Sequence, residues 1–260
     1  MVLSGTLRVV LLCLLSLCLR GAEAQLVNQN NLAHIISHIQ TQYNPGGNRP
    51  NNRNPQFAVA INIPRQLCTQ RFNFQEFLAA LNNDQPNNVR NNLRRNGIYN
   101  GRRMIGATLI EDPNNIDPNT NRHPFFHSEY LLLINSNPLG VPPNVPLMQD
   151  LLNRDPQGCV IFYTYNSPCT RTCLNRYRPR NILTALNMIR LRQGPKAFVY
   201  NRVFQRDQGN RQLGASLRGI EGNNNNNRFL YRCNQNPQQH QHYTCRLCFN
   251  GATADPNCLN

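Results

Sequence analysis

Apolar residues recur at helical spacing over Asn31 to Tyr43, where Leu32, Ile35, Ile36 and Ile39 mark one face and Pro45-Gly46-Gly47 ends the segment. His34 and His38 lie one turn apart there, but with no third ligand nearby they read as structural or surface residues rather than a metal pair. After a loop rich in Asn, Arg and Pro, the alternation of Phe57 to Ile63 predicts a strand that Pro64 closes. A helix around Phe74 to Leu81 follows, then a basic stretch with Arg90, Arg94, Arg95, Arg102 and Arg103, then a short strand over Ala107 to Ile110. Pro124 suits the first turn of a helix carrying His127 and Glu129 and running through Leu131, Leu132 and Leu133. Residues 135 to 157 are proline-rich and read as an insertion.

Cys159 to Tyr165 is an apolar strand that leads into Ser167-Pro168-Cys169, the opening of a second helix. Pro179 interrupts that helix, and Ile182 to Leu191 resume its period until Gly194-Pro195. Ala197 to Tyr200 make a further strand, Leu213, Leu217 and Ile220 a short helix, and Phe229 to Tyr231 a last strand beyond a run of asparagines. Strands alternating with helices predict an α/β fold with helices on both faces of one sheet.

The first residues change the picture of where the chain works. Arg8, the apolar run from Val9 to Leu19 and Ala22-Glu23-Ala24 have the grammar of a secretory signal over residues 1–24. That run is too short to span a bilayer, and nothing later is apolar for long enough, so a secreted, extracellular protein without a membrane partner is expected. The formal charge is +15 and becomes +14 without the signal. It is lopsided: residues 157 to 260 carry fourteen basic groups against Asp207, Glu221 and Asp255, a net of +11. Such a surface suits a polyanion, or serves solubility alone. Lys196 is the one lysine; every other basic residue is arginine, whose planar fork fits phosphate and stacks on bases.

Ten cysteines become eight once Cys13 and Cys18 leave with the signal. If Cys169 and Cys173 bind metal, the even remainder of Cys68, Cys159, Cys233, Cys245, Cys248 and Cys258 suggests up to three disulfides whose pairing stays open. Four of these lie in residues 233–260, which read as a stapled cysteine-rich tail.

The candidate chemistry lies in His127-Ser128-Glu129 and Ser167-Pro168-Cys169-Thr170-Arg171-Thr172-Cys173. One imidazole and two thiolates make three metal ligands and leave a fourth position open. A thiolate just inside a helix start loses its proton more easily, and a spacing of four residues puts both sulfurs on one helical face. Glu129, about 200° round an ideal helix from His127, is left free for proton transfer. These are the parts needed for metal-activated water to attack a nucleobase.

These two motifs resemble those of the zinc-dependent cytidine deaminase superfamily. Ser167-Pro168-Cys169 and the basic charge bring the chain closest to the AID/APOBEC-like polynucleotide deaminases, and the signal and stapled tail to their secreted branch in fishes, the secreted novel AID/APOBEC-like deaminases. The resemblance runs from the first helix to about Tyr231. It implies a deaminase-like domain over residues 25–232, a three-layer fold with a five-stranded mixed sheet flanked by helices, Zn2+ on His127, Cys169 and Cys173, and Glu129 as the proton shuttle. The implied reaction converts cytosine to uracil in single-stranded DNA or RNA, in an immune or antiviral role. A deaminase of free cytidine or deoxycytidine, or a cationic nucleic-acid-binding or antimicrobial protein on the same scaffold, are the alternatives.

Tryptophan is absent, and Asn166 stands where polynucleotide deaminases often carry it before Ser-Pro-Cys. Stacking on a base therefore falls to other aromatic residues, of which Tyr200 and Tyr165 are the candidates, while Phe126 and Tyr163 read as core. Ser167 joins them as a substrate-binding candidate. Arg171, Arg202 and Arg206 either hold phosphates or lie on ordinary solvated surface.

Overall fold

The computed structural model describes residues 26–46, 56–118, 121–222, 228–236 and 239–260. The expected signal segment lies outside them. In chain order the elements are α1 (Gln29–His38), β1 (Phe57–Ile63), α2 (Gln66–Thr69), α3 (Phe74–Ala80), α4 (Pro86–Asn96), β2 (Ile98–Asn100), β3 (Met104–Thr108), β4 (Ile110–Glu111) and β5 (Phe125–Phe126). Then come α5 (Ser128–Leu133), α6 (Leu147–Arg154), β6 (Cys159–Asn166), α7 (Asn187–Arg190), β7 (Lys196–Arg202), α8 (Leu213–Glu221), β8 (Leu230–Asn236), β9 (Gln239–Leu247), β10 (Phe249–Asn250) and β11 (Thr253–Ala254).

Local chemistry sets several of these boundaries. The Asn28 side chain accepts from the amides of Asn30 and Asn31 and so starts α1, and Asn73 does the same for Gln75 and Glu76 at α3. Pro86 opens α4, and Gly97 closes it in the left-handed region at φ 72°. That backbone conformation favours glycine, and a Cβ at Gly97 would also come within 3.1 Å of the Ile110 side chain, a tight approach.

The central sheet is mixed and has seven strands in the order β2-β3-β1-β6-β7-β8-β9. Pairing is antiparallel from β2 to β6, parallel across β6, β7 and β8, and antiparallel again at β8 and β9. β1 and β6 are buried almost throughout because both sheet faces are covered. Alternation then sorts their side chains between two cores. Ala58, Ala60 and Phe162 face the core that holds α5, Cys169 and Cys173, whereas Val59, Ile61, Tyr163 and Tyr165 face the core under α1. The small Ala58, Ala60 and Ala107 let α5 approach the sheet closely.

The sheet has seven strands where the resemblance implied five. β2 is three residues long, too short to display a period. β9 reads as polar, Gln-His-Gln-His-Tyr-Thr-Cys-Arg-Leu, as suits an edge strand, and it pairs through Cys233 opposite Cys245. The expected boundary at residues 232/233 thus falls inside β8, and the tail completes the sheet.

Other elements shift for physical reasons. The strand expected over Ala107 to Ile110 is β3, registered on β1 from Met104 to Thr108, and Ile110 belongs to a separate pairing of β4 with β5. That pairing holds Phe125 and Phe126 extended, so the helix expected from Pro124 starts at Ser128. The insertion contains α6, whose Leu147, Met148, Leu151 and Leu152 are buried; the prolines that obscured its period mostly precede it. The segment after Pro168 forms successive turns rather than a helix, and α7 covers only Asn187–Arg190 of the period expected from Ile182 to Leu191.

Disulfides join Cys68 to Cys159, Cys233 to Cys245 and Cys248 to Cys258, while Cys169 and Cys173 remain thiols. Among the described residues, no helix is long and apolar enough to cross a membrane. His34 stacks on Phe72 at 5.2 Å, and His38 meets Phe77 edge-on at 5.2 Å.

Candidate metal centre and active site

Two segments deliver the cluster. His127 is the residue before α5, in extended backbone at φ −76° and ψ 149°. Cys169 and Cys173 come from the turns that follow β6. Their arrangement is not helical: the Leu174 amide donates to the Cys169 carbonyl at 3.0 Å, and the Cys173 amide points at the Cys169 sulfur at 3.5 Å.

The ligand atoms converge. His127 Nδ1 lies 3.1 Å from Cys173 Sγ and 3.7 Å from Cys169 Sγ, and the two sulfurs are 3.7 Å apart. Tetrahedral zinc, with bonds of about 2.3 Å to sulfur and about 2.0 Å to nitrogen, requires S···S and S···N separations of about 3.5–3.8 Å. Two of the three separations match, and the third needs only a few tenths of an ångström of relaxation. One nitrogen and two sulfurs are also a donor set suited to zinc. Thus His127, Cys169 and Cys173 fit the ion, with a position left over.

Charges in the cluster are coupled. The hydrogen bond from Cys173, aided by His127 and opposed by burial, pushes the Cys169 thiol down to about 3. The same hydrogen bond together with burial drives Cys173 well upward. One thiolate is therefore favoured before any cation arrives. Burial lowers the affinity of His127 for its proton, but the hydrogen bond and charge of Cys169 and the charge of Glu129 outweigh it and leave the imidazole raised.

Glu129 sits in the first turn of α5 and is 1 % exposed. Burial raises its carboxyl above the usual range, against the pull of His127 and of its hydrogen bonds. Oε1 accepts from Thr164 Oγ1 at 2.9 Å and from Gln56 Nε2 at 3.3 Å, and Oε2 accepts from Ser128 Oγ at 3.2 Å. Since the helix starts only at Ser128, the extended backbone of His127 separates ligand from acid, in place of the 200° expected from one continuous helix.

Sequence reasoning missed the residues that hold this geometry. Gln56 links β1's start to Thr164 at 3.0 Å and to the Asn166 amide at 3.2 Å. Thr164 is a polar break in an apolar strand, on the face that alternation assigns to the α5 core, and that signal was readable. Asp207 was not readable, because it lies 34 positions beyond Cys173. Its buried carboxylate accepts from the Thr170 amide at 2.9 Å and from Thr170 Oγ1 at 2.6 Å, clamping the turn between the two cysteines.

The expected substrate contacts fare differently. Tyr200 is fully buried and donates to the Cys258 carbonyl at 2.6 Å, so it cannot stack on a base as expected. Tyr165 points into the α1 core, on the sheet face opposite Glu129, and its ring lies 4.6 Å beneath the Arg202 guanidinium. Ser167 is 2 % exposed, and its hydroxyl accepts from the Phe204 amide at 3.0 Å; it ties loops together rather than facing a pocket. Arg202 is exposed and donates to Asn166 Oδ1 at 2.8 Å, while Arg171 and Arg206 are exposed. Phe126 is buried beneath Arg180, 3.9 Å from ring to guanidinium, and Tyr163 is buried beside Gln40, as core readings required.

A mixed sheet covered on both faces, an imidazole and two thiols meeting at one end of it, and a buried carboxylate beside them are the parts of a deaminase whose site could hold a metal ion. Within that class the chain belongs to the family described as Secreted Novel AID/APOBEC-like Deaminase 1, which it matches over residues 29–260. The family implies cytidine deamination and zinc, and its name says secreted. The match includes the tail that the resemblance left out after about Tyr231. No curated protein and no solved structure matches the chain.

Proposed function

We infer that this chain is a secreted, zinc-dependent deaminase that converts cytosine to uracil in single-stranded nucleic acid, with a role in defence against foreign genomes. The buried Glu129 carboxylate, fixed by Thr164 and Gln56 beside the His127, Cys169 and Cys173 cluster, carries this reading. Zinc held by these three side chains supplies Lewis acidity that makes water nucleophilic at neutral pH. Glu129 accepts a proton from the attacking water as its oxygen bonds to C4. The same carboxylate passes that proton to the ring N3, then takes the remaining proton from the new C4 hydroxyl and delivers it to the exocyclic amine, so the C4–N4 bond breaks, ammonia leaves and the C4 carbonyl forms. Thr164 and Gln56 hold Oε1 and keep the acid in one orientation throughout.

Charge favours a polynucleotide over a free nucleoside, since the net +11 of residues 157 to 260 has no use for a neutral ligand. Purified protein incubated with cytosine-containing single-stranded DNA and RNA is expected to form uracil. Glu129→Gln should lose about 10²–10⁴-fold in rate while retaining one zinc per chain. Unchanged activity in that variant would refute the mechanism. Polynucleotide turnover should fall steeply with salt and deoxycytidine turnover barely, and the reverse would favour the nucleoside reading.

A further inference from the structure

Between Asp155 and Asp207 the chain has no acidic residue and nine basic ones, and the densest part is Arg171, Arg176, Arg178 and Arg180. Arg176, Tyr177 and Arg178 form the crest of a loop over residues 174–181. Tyr177 is 88 % exposed, far more than Phe74 at 46 %. A ring that open to water contributes nothing to the core and is out of keeping with an aromatic kept for packing. Arg171, Arg176 and Arg178 are exposed and make no ion pair among the described residues, whereas Arg180 pairs with the buried Asp112.

The loop is held at its base rather than loose. The Ile182 amide donates to the Cys173 carbonyl at 2.9 Å, so the loop leaves from and returns to a metal-ligating residue. The Arg178 amide donates to the Asn175 carbonyl at 2.9 Å, the Tyr177 amide to Asn175 Oδ1 at 3.1 Å and Asn181 Nδ2 to the Arg178 carbonyl at 2.7 Å. Arg180, lying over Phe126 and paired with Asp112, anchors its far side. Tyr177 lies four positions beyond Cys173, a contour of at most about 14 Å. An aromatic plate between two unpaired guanidinium groups at that reach is the arrangement that grips unpaired bases through their faces and the backbone through its charge.

We propose that the 174–181 loop docks single-stranded nucleic acid, Tyr177 stacking on a base that flanks the target and Arg171, Arg176 and Arg178 holding adjacent phosphates. The proposal rests on the polynucleotide reading above and supplies the stacking residue that Tyr200 and Tyr165 do not. It is tested by fluorescence anisotropy on labelled 15-nucleotide single strands of DNA and of RNA lacking cytosine, so that binding is read without turnover. Tyr177→Ala should weaken binding roughly tenfold or more, and Tyr177→Phe should stay within about twofold of wild type. Arg176→Ala with Arg178→Ala should lower the slope of log affinity against log salt by about 1.4, two phosphate contacts on a single strand. Zinc content and melting temperature should be unchanged in all three.

If wild type binds the strands and Tyr177→Ala binds equally well, the loop proposal is overturned and the polynucleotide reading stands. A wild type that binds neither strand yet deaminates deoxycytidine overturns both.

Discussion

Removing the Asp207 carboxylate tests whether the turn carrying both sulfurs is positioned from outside. Because that turn is not helical, no regular helical ladder holds it, and its shortest side-chain tether to the rest of the fold is the pair of hydrogen bonds from Thr170 to Asp207 at 2.9 and 2.6 Å, beside the backbone bonds at Cys169 and Cys173. Hydrogen bonds to a charged group are worth about 1.5–3 kcal/mol each, so Asp207→Ala removes about 3–6 kcal/mol at most. Thr170 is only half-buried, water reaches its freed donors, and the lower end applies. Loss of an outer partner of a ligand typically costs 10–100-fold in metal affinity, or about 1.4–2.7 kcal/mol. The expected outcome is a zinc affinity lowered by that factor in competition with a chromogenic chelator, with the remaining ~1 kcal/mol appearing as lower stability of the metal-free protein. Asp207→Asn keeps one acceptor and should fall between. Zinc affinity within about twofold of wild type, with only the melting temperature lowered, would refute a positioning role.

The Cys68–Cys159 disulfide closes 91 residues, against 12 for Cys233–Cys245, so loop entropy assigns them about 4.6 and about 2.8 kcal/mol. Urea unfolding of each paired Cys→Ala variant should rank them in that order. Burial raises the Asp112 carboxyl, but hydrogen bonds from Asn115, Arg180 and the Asn114 amide outweigh it and hold the group below the usual range. That stabilisation is present above the unfolded pKa of about 3.9 and disappears as pH falls through the lower folded value. Asp112→Asn should therefore flatten the acid limb of stability measured by urea unfolding across low pH. Thiol titration of the folded, zinc-loaded protein should find no reactive group, and chelation should release two, Cys169 and Cys173. A further thiol would contradict the three disulfides.

The strands that pack on both faces were legible because burial forces an apolar run, as in Phe57 to Ile63 and Cys159 to Tyr165. His127, Cys169, Cys173 and Glu129 were legible for a different reason: their chemistry constrains residue type and spacing, and the structure brings the three ligand atoms within 4.8 Å of one another. What escaped notice depends on partners distant in sequence. β9 is polar and becomes a strand only against β8, and Gln56 reaches Glu129 across 73 positions. Tyr200 looked suited to a substrate because it ends a strand. Its partner Cys258 lies 58 residues on, in the tail, and nothing local announces it.

That last contact explains why the tail belongs to the site's architecture. The Cys248–Cys258 disulfide fixes the loop whose Cys258 carbonyl receives the Tyr200 hydroxyl, and Tyr200 lies in β7 opposite Thr164 of β6. Thr164 holds Glu129. Just past β7, the Phe204 amide donates to Ser167 and Asp207 clamps Thr170, on either side of Cys169. Every step in this series is a direct contact. An edge made of β8 and β9 alone would leave β7 covered by a polar ribbon, and a pair of strands is marginal without further support. Covalent closure of the ribbon at Cys233–Cys245 and of its end at Cys248–Cys258 makes that cover permanent, so β7 can act as the fixed rail from which both the acid and the thiolate turn are positioned.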